Sequence, residues 1–121
     1  MFKDLLPDED KPEGFKVVEN LTASEFEEKL KSDRDAILID VRTPMENLQL
    51  RIPNSIMIDI YNPSFLTEID KLDRSKNYYL YCRSGNRSYQ AGNIMLRMGF
   101  KKVFNLKPGI IGWNGSKESS Y

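Results

Sequence analysis

Asn77-Tyr78-Tyr79-Leu80-Tyr81-Cys82-Arg83-Ser84-Gly85-Asn86-Arg87-Ser88 changes character in its middle. The first six residues are aromatic, apolar and strand-like. The next six are small, polar or cationic. Beyond them Ala91, Ile94, Met95 and Met98 recur at helical spacing until Gly99 closes the helix. The segment therefore reads as strand, tight connection and helix, and Cys82 falls at the carboxyl end of the strand, where open α/β sheets bind their ligands.

The same alternation extends in both directions. Ala36-Ile37-Leu38-Ile39-Asp40-Val41 is a continuous apolar run ended by a charge, the pattern of a central parallel strand covered on both faces. Lys102 to Leu106 is the last clear strand, followed by Lys107-Pro108-Gly109 and a short apolar segment through Trp113. Lys16 to Asn20 reads as a short edge strand and the Ile-rich stretch Ser55 to Tyr61 as another. Thr22 with Glu25 three residues later is a capping-box pattern opening a helix through Lys31, with Leu21, Phe26 and Leu30 on its apolar face. Thr43 and Pro44 break the preceding run, and Met45 to Leu50 offers one or two helical turns. Asn62-Pro63-Ser64 starts a further helix, Pro63 near its first position and Phe65, Ile69 and Leu72 at helical spacing. The expected fold is α/β, a mostly parallel central sheet of about five strands with helices on both faces. The expected domain occupies residues 15–115, between a flexible N-terminal arm over 1–14 and a polar C-terminal tail over 116–121.

Composition agrees with one domain. Among 121 residues, Leu, Ile, Val and Phe make up about a quarter, above the ~20 % at which chains fail to fold. A domain of this length buries roughly two thirds of its unfolded surface, enough for a core without a metal or disulfide staple. The 18 basic and 18 acidic residues cancel, so no global charge draws the chain to nucleic acid or to an anionic membrane. No apolar run approaches a membrane span and the amino terminus turns acidic at once, so neither a span nor a secretory leader is expected. There is no histidine, which removes Ser-His-Asp and Cys-His catalysis and His-ligated metal. Cys82 is the single cysteine; it can form neither an internal disulfide nor a multi-Cys metal site, and a cytoplasmic location is expected.

A lone Cys ending an apolar strand is ordinarily a small buried hydrophobe. The residues after Cys82 argue for more. Gly85 permits the bend, consecutive backbone N–H groups can turn inward as an anion-binding nest, the helix dipole adds positive potential, and Arg83 and Arg87 carry guanidinium groups suited to oxyanions. Positive potential favours thiolate, moving such thiols from about 8.5 to between about 3.5 and 7.5, so Cys82 is expected to ionise below neutrality. Without a histidine base, that electrostatic route is the activation mechanism left. The sulfur is expected at the floor of an open hollow of main-chain donors.

At this point the residues resemble the rhodanese sulfurtransferase family, over roughly Val17 to Gly115. Cys82-Arg83-Ser84-Gly85-Asn86-Arg87-Ser88 is similar to its active-site loop, Leu38-Ile39-Asp40-Val41-Arg42-Thr43-Pro44 with Glu46 and Ile52-Pro53 to its central turn region, and Gly109-Ile110-Ile111-Gly112-Trp113 to its closing segment. The resemblance implies that Cys82 takes a sulfane sulfur from thiosulfate or a persulfide donor, holds it as a persulfide and passes it to a thiol or cyanide acceptor. A protein persulfide is a further possible partner, and no cofactor or metal takes part. Arg83, Ser84, Gly85, Asn86, Arg87 and Ser88 would bind the substrate. The chain departs from the family pattern at Leu50-Arg51, where Gly-His is common, at Asn54-Ser55 for Gly-Ala, at Asn47 for an aromatic and at Pro108 for a glycine. These changes bear on the mouth of the site and on partner contacts.

Asp40, Arg42 and Glu46 are expected to support the loop, with Arg42 and Glu46 forming an ion pair. Trp113, Met95 and Met98 are expected to pack, as is at least one of Tyr78, Tyr79 and Tyr81. Two rival readings remain. A cysteine phosphatase needs five residues between Cys and Arg, and Cys82 to Arg87 encloses four. Against a non-catalytic binding or regulatory module of the same fold stands the intact oxyanion loop with Cys82, while the N-terminal arm and the departures near Leu50 would suit a partner.

Overall fold

The computed structural model describes residues 16–121; the expected arm over 1–14, like Phe15, lies outside the described residues. The chain builds β1 (Glu19–Leu21), α1 (Ala23–Ser32), β2 (Ala36–Asp40), α2 (Pro44–Gln49), β3 (Ile56–Met57), α3 (Phe65–Asp70), β4 (Asn77–Tyr81), α4 (Asn86–Arg97) and β5 (Lys102–Leu106), then a 3-10 turn at Ile110–Gly112. The sheet order is β1-β5-β4-β2-β3, and every pairing is parallel. The α/β class, the five strands and the parallel sheet expected from the sequence are all present.

Side-chain alternation divides the interior in two. Ile39, Val41, Tyr78, Leu80, Cys82 and Val103 point to one face, where Phe65 and Ile69 of α3 and Ala91 and Met95 of α4 cover them. Leu38, Tyr79, Tyr81, Phe104 and Leu106 point to the other, against Phe26 of α1, Ile110 and Trp113. Phe26 meets Tyr79 and Trp113 edge-on, at centroid distances of 5.5 and 6.0 Å. All three tyrosines of β4 are buried, and Trp113 and Met95 pack in the core as expected. Among the described residues no helix is long and apolar enough to cross a membrane.

The differences from the sequence reading have local causes. Strand Ser55 to Tyr61 shrinks to Ile56–Met57, because the Asp59 carboxylate accepts the Tyr61 N–H and the Asp59 carbonyl accepts the Asn62 N–H, turning the chain. Pro63 precedes the helix: Asn62 Oδ1 accepts from the N–H and hydroxyl of Ser64, and α3 starts at Phe65. Thr43 and Pro44 begin α2; Thr43 is the cap, Pro44 opens the first turn, and Glu46 closes a capping box like that of Thr22 and Glu25. The C-terminal residues pair with the region before β3: the backbones of Arg51 and Glu118 exchange two hydrogen bonds, and Arg51 Nε lies 3.0 Å from Glu118 Oε1.

Candidate active site

Strand β4 delivers Cys82 to the carboxyl edge of the sheet, and the chain folds over the sulfur before entering α4. Gly85 has φ +96°, in the left-handed region that favours glycine, and a Cβ there would run into the Lys107 carbonyl. Gly109, φ +69°, sits as tightly behind the loop; its Cβ would meet the Arg83 carbonyl. The closing segment then grips the loop backbone, Ile110 N–H donating to Cys82 C=O at 2.9 Å and Ile111 N–H to Arg83 C=O at 3.3 Å. Asn105, buried in β5, donates from Nδ2 to the Gly85 carbonyl at 3.1 Å. The sequence reading missed Asn105. A polar residue inside the apolar run of β5 was the signal for it.

These constraints direct donors at one atom. The Gly85 N–H lies 3.1 Å from Cys82 Sγ and the Ser88 hydroxyl 3.3 Å. Burial opposes ionisation, but the Ser88 hydroxyl together with the backbone N–H groups of Ser88, Gly85 and Ser84 outweighs it, so the thiol ionises below its ordinary value. The direction agrees with the sequence expectation. The open hollow does not: Cys82 is 0 % exposed. The thiol ends a strand under the loop that bonds it, and Arg83, Ser84 and Asn86 carry the exposed surface. A cavity of about 620 Å³ lies at the opposite, amino ends of β4 and β5, beside Asp33, Asn77 and Lys102, so loop geometry rather than cavity size locates the site.

The expected Arg42–Glu46 ion pair is not formed. Residues two apart in extended chain share a face, and Arg42 folds back on Asp40 with Nε and Nη2 at 2.9 and 2.7 Å from its two carboxylate oxygens. The pair is buried, and its remaining capacity is filled by the Tyr81 hydroxyl and Asn47 Nδ2, each 3.0 Å from Asp40 Oδ2, and by the Leu50 carbonyl, 2.6 Å from Arg42 Nη2. Burial, with the Asp40 anion beside it, pushes the Tyr81 phenol up to about 12. Asn47, one of the departures from the family pattern, is thus built into this network.

Glu46 crosses instead from α2 to α4. Its carboxylate takes Arg87 Nη1 and Nη2 at 2.8 and 2.9 Å, while Oε1 also accepts from the Thr43 N–H and hydroxyl at 3.2 and 3.0 Å. Hydrogen bonding to Arg87 lowers the Glu46 carboxyl to about 2, against partial burial. The Arg87 guanidinium, 5.7 Å from the Tyr61 ring centroid, feels the charge of the Cys82 sulfur but is committed to Glu46. Of the two arginines expected to meet an oxyanion, Arg83 alone has a side chain without a hydrogen-bond or ion-pair partner among the described residues.

The sequence model of the rhodanese-like domain matches residues 22–116. A sulfurtransferase of Allochromatium vinosum is 35 % identical over 98 residues, covering 80 % of this chain and 89 % of its own. A putative sulfur carrier protein of Bacillus subtilis, YrkF, is 32 % identical over 105 residues, 84 % of this chain and 54 % of its own. In fold, a rhodanese-like domain protein from Staphylococcus aureus superposes with a TM-score of 0.74 at 23 % identity, over 86 % of this chain and 100 % of its own. With a family match over most of its length, a relative of about its own size and the same parallel fold, the chain belongs to the rhodanese-like family.

Proposed function

We propose that this protein is a sulfurtransferase that carries a sulfane sulfur on Cys82. The Cys82 thiolate attacks the outer sulfur of thiosulfate or the terminal sulfur of a persulfide. The donor's S–S bond breaks, sulfite or thiolate leaves with the electron pair, and Cys82 holds the sulfur as a persulfide. Attack by cyanide or a thiol on that outer sulfur releases thiocyanate or a new persulfide and returns the Cys82 thiolate. Both steps are displacements at sulfur and call on no cofactor. A protein persulfide presents the same reacting group as a small one, and a lone reduced thiolate suits the cytoplasm.

The observation that carries this reading is the convergence of Gly85 N–H and Ser88 Oγ on Cys82 Sγ. Donors fixed in place stabilise the thiolate, and the same donors suit the negative outer sulfur of a persulfide without reorganising. Arg83, Ser84 and Asn86, exposed at the rim, are the residues we assign to the incoming donor. Because the sulfur is covered, a neighbouring group must yield before a donor reaches it. Intact-mass measurement after incubation with thiosulfate or a thiol persulfide tests the proposal. Wild type gains one sulfur, loses it to cyanide, and Cys82→Ser gains none; persistent failure of wild type across both donor classes refutes it.

A further inference from the structure

The Glu46–Arg87 pair bears on which donor the site accepts, and this inference rests on the sulfurtransferase reading above. Arg87 enters α4 on the loop that wraps Cys82, close enough to the sulfur for their charges to interact. Its guanidinium is nevertheless spent: both carboxylate oxygens of Glu46 hold it at 2.8 and 2.9 Å, and Glu46 is itself fixed by the Thr43 cap. An arriving anion meets the guanidinium and the carboxylate together, a nearly neutral couple. Among the described residues, Arg83 remains as the loop cation without a hydrogen-bond or ion-pair partner.

We propose that Glu46 is a specificity-determining residue, which by neutralising Arg87 sets the site for sulfur donors of low charge and against dianionic ones. Thiosulfate and the methanethiosulfonate anion isolate that variable. They share shape and a sulfane sulfur but differ by one unit of charge. Each reacts alike: Cys82–S⁻ attacks the outer sulfur, the S–S bond breaks, and sulfite or methanesulfinate leaves with the bonding pair, so total charge is conserved. In the wild-type site a dianion gains no more from the neutral couple than a monoanion does. Glu46→Gln keeps the shape and the oxygen that caps Thr43, removes the anion and exposes the Arg87 charge.

The test is the ratio of kcat/KM for thiosulfate to kcat/KM for methanethiosulfonate, read as thiocyanate formed with cyanide. Glu46→Gln should raise this ratio about tenfold, chiefly through KM for thiosulfate, and added salt should shrink the gain. The double variant Glu46→Gln with Arg87→Gln removes both charges and should return the ratio to within about twofold of wild type. The double variant also stands alone should the single one fail to fold. If Arg87 binds the donor in wild type, the double variant's ratio instead falls about tenfold, and the inference is overturned. An unchanged ratio in Glu46→Gln overturns it as well. Absence of any Cys82 persulfide in wild type from either donor is a separate result, which overturns the sulfurtransferase reading and this inference with it.

Discussion

At Cys82, burial works against a charged sulfur while the Ser88 hydroxyl and the Gly85 N–H work for it, and the net effect lowers the thiol's pKa. Removing one donor should shift that balance in a predictable direction. Ser88→Ala is expected to raise the Cys82 pKa, read as thiolate absorbance against pH. The shift also appears in stability. A thiol whose folded pKa lies below its unfolded value of about 8.5 adds stability that is full above 8.5 and lost as pH falls through the folded pKa. The stability of wild type relative to Cys82→Ser should therefore rise with pH across that window, and Ser88→Ala should narrow the window from its low side. Equal titrations in wild type and Ser88→Ala would remove the hydroxyl from the account.

At the scale of elements, the loop between β4 and α4 is shaped from behind. Gly109 packs on the Arg83 carbonyl, Ile110 holds the Cys82 carbonyl, and Asn105 holds that of Gly85. Gly109→Ala adds a Cβ where the backbone is left-handed and no space remains, and should cost about 3 kcal/mol in urea unfolding. Since the push falls on the loop and not on the sheet, the persulfide yield should drop even where the variant is fully folded. A destabilised variant of unchanged yield would separate this support from the chemistry. Cys82-Arg83-Ser84-Gly85 was readable as a loop over an anion because composition and order state it locally. The props were not, for Asn105 and Gly109 lie 20 or more residues further on and meet the loop only through the parallel pairing of β4 with β5. The α2 cap could have been read, since Thr43 and Glu46 repeat the pattern recognised at Thr22 and Glu25.

Over the whole molecule, strands were legible because a parallel sheet buried on both faces writes continuous apolar runs, as in β2 and β4. Which charges meet across the carboxyl edge was not legible. Sequence proximity suggested Arg42 with Glu46, yet strand alternation turns Arg42 onto Asp40 and leaves Glu46 facing α4, 41 residues away. That long-range pair ties α2 to α4 and should set a limit in acid. With its carboxyl lowered to about 2, Glu46 adds stability that is full above about 4.5 and disappears as pH falls through 2. For a pair this exposed the contribution is about 1 kcal/mol after solvent screening. The stability difference between wild type and Glu46→Gln should hold level from neutral pH to about 5 and shrink between 4.5 and 2. A difference that instead vanished near pH 6 could not come from this carboxylate, whose titration lies well below that pH.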